Sequence, residues 1–333
     1  MDIVYATSDL YSKPAMISIK SLLVNNLGAE CINIYYIENG LSDENKELLL
    51  QLVHQYNRNI YFIPMPEKLN EIGGLMRTNP IVYSYCYFQD ILPCTVNRVL
   101  LLEGDATVTA DIQEYFELDI DPYYLAAADD FQSKWYKKLL RMNGKSVYFN
   151  SGIMLFNLKK WRENGITEKI TQIIKKGKSK FFYEVQDELN VLFEGKILVL
   201  PPRFNATTSI FLFDYKNMLR YRWPSTRCSK EEFEQARNTP LIVHFTKNQI
   251  IQSRPWIEDC VHPYNDYYVN LKLDTFLKQE PLWKEKRGRI SKWAYRIYQT
   301  PLRSLMAFGL GFVHSFFYPV IMYVKNKFSA SCC

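Results

Sequence analysis

The chain lacks the signatures of most nucleotide and hydrolytic chemistries. No G-x-G-x-x-G follows an early strand-like run and no G-x-S-x-G occurs. Gly144-Lys145-Ser146 ends like a P-loop but has Leu139 where that loop requires glycine. Four histidines, at 54, 244, 262 and 314, are too scattered for a zinc-enzyme motif. Seven cysteines, odd in number and without C-x-x-C spacing, argue for a reducing compartment and against structural zinc. No basic, apolar leader precedes the strand-like Asp2-Ile3-Val4-Tyr5-Ala6, so the expectation is a cytosolic body without a cleaved signal peptide. Internal repeats and low-complexity linkers are also missing.

What is present suffices for a full α/β core with a smaller appendage: 333 residues, 47% hydrophobic, 23% charged and 15% aromatic. The net charge of +6 is uneven. From Lys278 onward there are ten Lys/Arg against two acids, a net of +8, which leaves −2 for the first 277 residues. The basicity therefore describes where the protein sits and not what its pocket does.

The first sixty-five residues read as βαβαβ. Ile3–Tyr5, Ile32–Ile37 and Ile60–Ile63 are expected strands. One helix runs from Pro14 with Met16, Ile19, Leu22 and Leu23 on its apolar face. A second is capped by Ser42 and buries Leu48, Leu49, Leu52 and Val53. Further along, the pattern predicts a helix over 83–92 and strands at 99–102, 125–128, 149–158 and 197–200. Helices are expected over 167–175 and 185–193, and a last core strand at 241–243. Strands alternating with helices imply a mostly parallel sheet covered on both faces, with ligands beyond the carboxyl ends of its strands.

The character changes near residue 270, so we divide the chain into a domain over 1–270 and a basic, aromatic, membrane-associating segment over 271–333. Ser304–Val324 is 21 residues without formal charge, framed by Arg303 and by Lys325 and Lys327. That is long enough to span a bilayer. Gly309, Gly311, His314 and Pro319 make it a poor straight helix, and the preceding stretch mixes Trp283, Trp293, Tyr295 and Tyr298 with many basic residues. We read this as attachment to anionic lipid in preference to a buried terminal helix. Nucleic-acid binding fits the charge but not the apolar stretch.

One triplet stands out. Glu103-Gly104-Asp105 follows the apolar run Val99–Leu102, and residues two apart in extended backbone project to one side. Two carboxylates so placed can grip a divalent cation able to neutralise a diphosphate leaving group, while the glycine lets a ligand approach the backbone. Other polar residues fall at expected strand ends: Thr7-Ser8-Asp9, Asp130, Asn150-Ser151 and His244. Each alone is an ordinary cap or turn residue; together they suggest one site at one sheet edge.

These segments resemble glycosyltransferase family 8, the group of glycogenin and bacterial lipopolysaccharide galactosyltransferases. The resemblance rests on Ile3 to Tyr11, Leu100 to Asp105, and Phe149-Asn150-Ser151-Gly152 through Trp161. It continues in Gln186-Asp187-Glu188-Leu189-Asn190 and in His244 with Pro255-Trp256. It covers residues 1 to about 265, in order. The resemblance implies a GT-A fold and a retaining hexosyltransferase using a UDP-sugar and Mn²⁺, with Mg²⁺ as the alternative cation. By the same resemblance Glu103, Asp105 and His244 would hold the metal. Thr7, Ser8 and Tyr11 would hold the uracil, and Gly104 would lie along the ribose and phosphates. Asp130, Asn150 and Ser151 would line the sugar pocket. Gln186 would lie beneath the anomeric carbon with Asp187 contacting sugar or acceptor, and Lys247 or Arg254 would balance the diphosphate. The acceptor hydroxyl would attack from the face the leaving group departs, without a covalent intermediate on Gln186. A glycan or lipid-linked acceptor at the inner face of the cell membrane is the expected partner.

The chain departs from the family pattern in places. Glu103 replaces an aspartate, Tyr85 stands where an arginine is usual, Val185 stands where an aspartate is usual, and the closing loop from His244 to Trp256 is long and lacks its glycine. A lost charged hydrogen bond is worth about 1.5–3 kcal/mol. These changes motivate the alternative of a degenerate domain that binds sugar nucleotide and scaffolds a partner glycosyltransferase.

Overall fold

The structure is a computed structural model that describes residues 1–69, 79–177 and 182–329. Its centre is a seven-stranded sheet in the order β3-β2-β1-β4-β7-β6-β8, formed by β1 (Asp2–Ser8), β2 (Asn33–Asn39), β3 (Asn59–Pro64), β4 (Arg98–Leu102), β6 (Leu125–Asp129), β7 (Phe149–Asn157) and β8 (Ile197–Leu200). Only β7 runs antiparallel to its neighbours, so the expected mixed, mostly parallel sheet is present. Both faces are covered, and the strand period shows it. Ile3, Tyr5, Leu100 and Leu102 enter one apolar core; Val4, Ala6, Val99 and Leu101 enter the other.

Three local outcomes differ from the sequence pattern. The helix expected from Pro14 begins at Asp9, whose carboxylate accepts from the Ser42 N–H and hydroxyl and from Asn45 Nδ2, tying the first helix to the cap of the second. The helix expected over 83–92 is a 3₁₀ segment, Pro80–Tyr87, passing into Phe88–Ile91. Tyr83, Tyr85 and Tyr87 are all buried there, so it has no solvent face to sustain amphipathic α periodicity. The strand ending at His244 is β10 (Ile242–His244), and it does not join the main sheet. It pairs antiparallel with β5 (Ala106–Val108) and parallel with β9 (Ala206–Thr207) in a separate three-stranded sheet.

The tail packs on this body. The sequence division at 270 falls within the helix Asn265–Leu273, whose Tyr267 hydroxyl accepts from Asn25. A helix over Arg289–Tyr298 donates from Tyr298 to the Leu212 carbonyl. The last helix runs Arg303–Phe312, passes through a π turn at Val313–Phe317 and continues over Tyr318–Ser329. Pro319 accounts for the π turn: it has no N–H for the Ser315 carbonyl, which instead accepts from Ser133 Oγ at 2.5 Å. Ala307, Gly311 and Ser315, four residues apart, form the inward seam. A Cβ on Gly311 would lie 2.1 Å from the Arg220 carbonyl oxygen, so only glycine permits this approach. The outer face exposes Leu305, Phe308, Phe312, Phe317 and Ile321. The stretch Arg303–Val324 is long and apolar enough to cross a membrane by length and composition.

Candidate functional site

Backbone pairing assembles the site. β4 ends at Leu102, and its antiparallel partner β7 places Gly152 beside Glu103, whose N–H donates to the Gly152 carbonyl at 3.1 Å. The chain turns at once into β5, and β10 pairs there so that His244 faces Ala106 and the Phe245 N–H donates to the Asp105 carbonyl at 2.8 Å. Two sheets thus bring three segments, at residues 103–105, 152 and 244, to one corner.

In that corner His244 Nε2 lies 3.2 Å from Asp105 Oδ1 and 3.3 Å from Glu103 Oε2. One donor atom from each of the three falls within 4.8 Å of the others, a group able to hold a metal ion. The imidazole is aimed by a relay: Asn205 Nδ2 donates to Asn150 Oδ1, which leaves Asn205 Oδ1 to accept from His244 Nδ1 and Nε2 to face the carboxylates. Tyr85, buried, donates to Glu103 Oε1 at 2.9 Å and fixes the longer carboxylate arm. Gly152 keeps the corner open, since a Cβ there would come 2.3 Å from His244 Cε1 and 2.6 Å from Glu103 Oε2. Carboxylate oxygens with one imidazole nitrogen suit a divalent cation such as manganese, so the residues present fit the expected ion.

Electrostatics agree. Burial alone would favour the neutral acid of Asp105, but the His244 and Arg254 charges hold its carboxyl down, to about 2. Burial pulls the His244 imidazole down, and the Asp105 and Glu103 carboxylates more than reverse this, to about 10. A cation entering the corner competes with that proton. Arg254 donates to Asp105 Oδ2 at 2.9 Å and to the Tyr11 hydroxyl at 3.0 Å, so positive charge already stands beside the acid pair.

A cavity of about 330 Å³ opens from this corner. Of the expected site residues it is lined by Glu103, Asp105, Asn150, Ser151, Gln186, His244, Lys247 and Arg254. Gln186 is the second residue of the helix Val185–Leu192 and is held on both sides. Its Oε1 accepts from the Ser151 N–H at 3.0 Å, while its Nε2 donates to Asp130 Oδ2 and to the Tyr148 hydroxyl, each at 3.2 Å. Val185 also lines this wall.

Other expected residues stand back from the cavity lining. Thr7 shares a hydrogen bond with the Tyr36 hydroxyl, and Ser8 ends the same strand. Gly104 packs on Ala15 and Thr7. Asp130 lies behind Gln186 and pairs with Arg222 at 3.1 Å. Asp187, expected to contact sugar or acceptor, is not among the residues lining the cavity. It is 0% exposed and accepts from the Tyr136 and Tyr148 hydroxyls and from the Tyr183 N–H. It positions Tyr148, and through it Gln186. Sequence reasoning missed Asn205, Arg222 and the hydroxyl role of Tyr85. Only Asn205 had a local cue, following the strand stopped by Pro201-Pro202.

Comparison with known proteins follows the same outline. The model of the glycosyl transferase family 8 matches residues 2–260. General stress protein A of Bacillus subtilis is 29% identical over 274 residues, covering 81% of this chain and 92% of that protein. The lipopolysaccharide 1,2-glucosyltransferase of Escherichia coli K12 is 23% identical over 296 residues, covering 88% of this chain and 81% of the enzyme. Among solved structures, the galactosyltransferase LgtC, in complex with donor and acceptor sugar analogs, superposes with a TM-score of 0.71 at 22% identity, covering 88% of this chain and all of LgtC. The fold is the GT-A fold of these transferases.

Proposed function

The chain belongs to glycosyltransferase family 8, and we propose that it is a metal-dependent retaining hexosyltransferase. It would move a hexose from a UDP-sugar to a lipid-linked oligosaccharide, a lipopolysaccharide or capsule precursor, or a glycoprotein glycan. The single observation carrying this reading is the convergence of Glu103, Asp105 and His244 around Gly152, in one cavity with Gln186, Lys247 and Arg254.

Each residue then has a task. Glu103, Asp105 and His244 would hold the cation, with Mn²⁺ the better fit and Mg²⁺ the alternative; when bound it supplies charge against the departing diphosphate. Arg254 and Lys247 add positive charge at the same wall. Gln186 is fixed by Ser151, Asp130 and Tyr148 and presents a weakly nucleophilic amide to the cavity. The carboxylates behind it are engaged, Asp130 with Arg222 and Asp187 with two tyrosines. That arrangement favours attack by the acceptor hydroxyl on the face the diphosphate leaves, through an oxocarbenium-like state, over a covalent enzyme intermediate.

Membrane attachment at the inner leaflet belongs to the same proposal. Because the Ala307-Gly311-Ser315 seam packs on the body, the tail helix would lie along the lipid surface on its exposed outer face. Arg289, Lys292 and Arg296 on the preceding helix supply charge for anionic head groups.

Release of UDP from a panel of UDP-sugars with Mn²⁺, lost in Asp105→Ala, is the expected result. No release from any donor by the folded protein would replace the enzyme with the scaffold for a partner glycosyltransferase, to which Val185 lends weight. Tyr85 does not, since its hydroxyl holds a metal-site carboxylate.

A further inference from the structure

A second cavity of about 320 Å³ lies beside the charged one, within the size range of small-molecule sites. Phe182 and Tyr183 line both, so a single aromatic partition stands between them. The aliphatic part of the other walls comes from Ile250, from Ile290 and Ala294 of the helix Arg289–Tyr298, and from Leu310 and Val313 of the tail helix. Among the described residues none of the lining is Asp, Glu, Lys or Arg, and the polar side chains there are Gln249, Ser291, His314 and tyrosines.

Its chemistry is that of a chain and not of a saccharide. Its polar atoms are few and partly engaged, Tyr136 with Asp187 and Tyr183 with His314, so sugar hydroxyls moved there would exchange many water partners for few, whereas the apolar walls take up methylene groups released from water. The mouth is left apolar in water, with Ile290 84% exposed and Val313 52% exposed. From Val313 the rim continues onto the exposed Phe312 and Phe317 of the tail's outer face. Arg289 and Lys292 flank Ile290 in sequence, placing positive charge near the mouth where a phosphate-bearing head group would sit.

We infer that this cavity binds the alkyl or prenyl chain of a glycolipid acceptor, beside the sugar-transfer cavity. Such an acceptor carries its reacting hydroxyl close to the lipid, within the first sugar residues. A long core oligosaccharide, whose growing end is remote from its lipid, does not satisfy both cavities at once. The assignment of the ligand as an acceptor rests on the transferase reading; the chain-binding property of the cavity does not.

The experiment measures binding of n-dodecyl and methyl β-D-glucopyranosides, below micelle-forming concentration, to the full-length protein. UDP binding with Mn²⁺ is followed in the same samples. The dodecyl glycoside is expected to bind at least tenfold more tightly than the methyl one. Ile290→Glu, at a side chain too exposed to matter for folding, should cut that preference below threefold, as should Ala294→Trp, which fills the cavity. Equal binding of the two glycosides overturns the inference. So does a preference that survives both cavity variants but is lost in Phe308→Ser, because the chain then sits on the outer face. Intact UDP binding in either case leaves the transferase reading standing. Absence of UDP binding beside an intact chain preference overturns the acceptor assignment through the transferase reading.

Discussion

The two cavities are nearly equal in size, about 330 and 320 Å³, and share the Phe182–Tyr183 wall, yet they are built on opposite principles. The charged one lies where strand ends meet, and its polar atoms are over-determined. His244 is aimed by Asn205, Glu103 is held by Tyr85, and Gln186 is bonded on both sides. Losing one partner there strands another buried polar group. The apolar one lies where helix faces fail to close, and apart from Tyr136 and Tyr183, which hold Asp187, its walls are mostly aliphatic and aromatic side chains. The first cavity should therefore respond to single-atom changes and the second only to changes of volume or charge.

The largest expected effect tests that contrast directly. Asp105→Ala removes a cation ligand and leaves both His244 and Arg254 facing no acid on that side. UDP release should fall by about a thousandfold, as expected when an interaction worth roughly 4 kcal/mol in the transition state is lost. Dodecyl glycoside binding should not change. If both properties fell together in a folded protein, the two cavities would be one site. Gln186→Ala comes next. It deletes an amide that links Ser151, Asp130 and Tyr148, and turnover should drop about 10–100-fold, equivalent to roughly 1.5–3 kcal/mol. The donor KM should move less than kcat, and an effect confined to KM would remove Gln186 from the reacting centre.

Tyr85→Phe is a smaller, sharper probe, because it takes away one oxygen 2.9 Å from Glu103 Oε1 and little else. The Mn²⁺ concentration for half-maximal activity should rise about tenfold, roughly the 1.5 kcal/mol of a hydrogen bond to a charged group. At saturating Mn²⁺ the rate should return close to that of the unaltered protein. A rate that stays low at saturation would mean that the hydroxyl acts on the donor and not on the carboxylate.

How legible each cavity was in the sequence follows from the same contrast. Strand-end chemistry is local: Glu103 and Asp105 read as a pair because alternate residues of extended backbone share a side, and Asn150-Ser151-Gly152 opens a buried strand. Their meeting depended on β10 pairing with β5, and no local pattern names a strand's partner. Arg222 pairs with Asp130 across 92 residues, from a helix whose sequence reads as ordinary surface. Asp187 looked like a site residue because it adjoins Gln186, yet successive residues of a helix point in different directions, and one entered the cavity while the other entered the core. The apolar cavity left no motif at all, being a gap between elements that are far apart in sequence. The tail showed its composition but not its seam, since glycine at 311 reads as a helix breaker until the Arg220 carbonyl is found against it.

Behind the charged cavity one more group distinguishes the two regions, and its effect is the smallest. Glu188 is 4% exposed, and its Oε2 has no hydrogen-bond partner among the described residues. Burial, reinforced by the neighbouring Asp187 and Glu184 charges, pushes its carboxyl up to about 8 from an ordinary 4.5. The folded chain therefore keeps a proton that the unfolded chain releases between those values. Its contribution to stability is fully present below about pH 4.5 and is lost as pH rises through about 8. Glu188→Gln mimics the protonated acid at every pH. It should match the unaltered protein in unfolding free energy by urea titration at pH 4.5, and exceed it at pH 8.5 by a margin on the order of 1–3 kcal/mol. UDP release at pH 7 should stay within about twofold, because this side chain stands behind the cavity wall and not in it. A stability gain equal at both pH values would show that the carboxyl stays ionised in the fold.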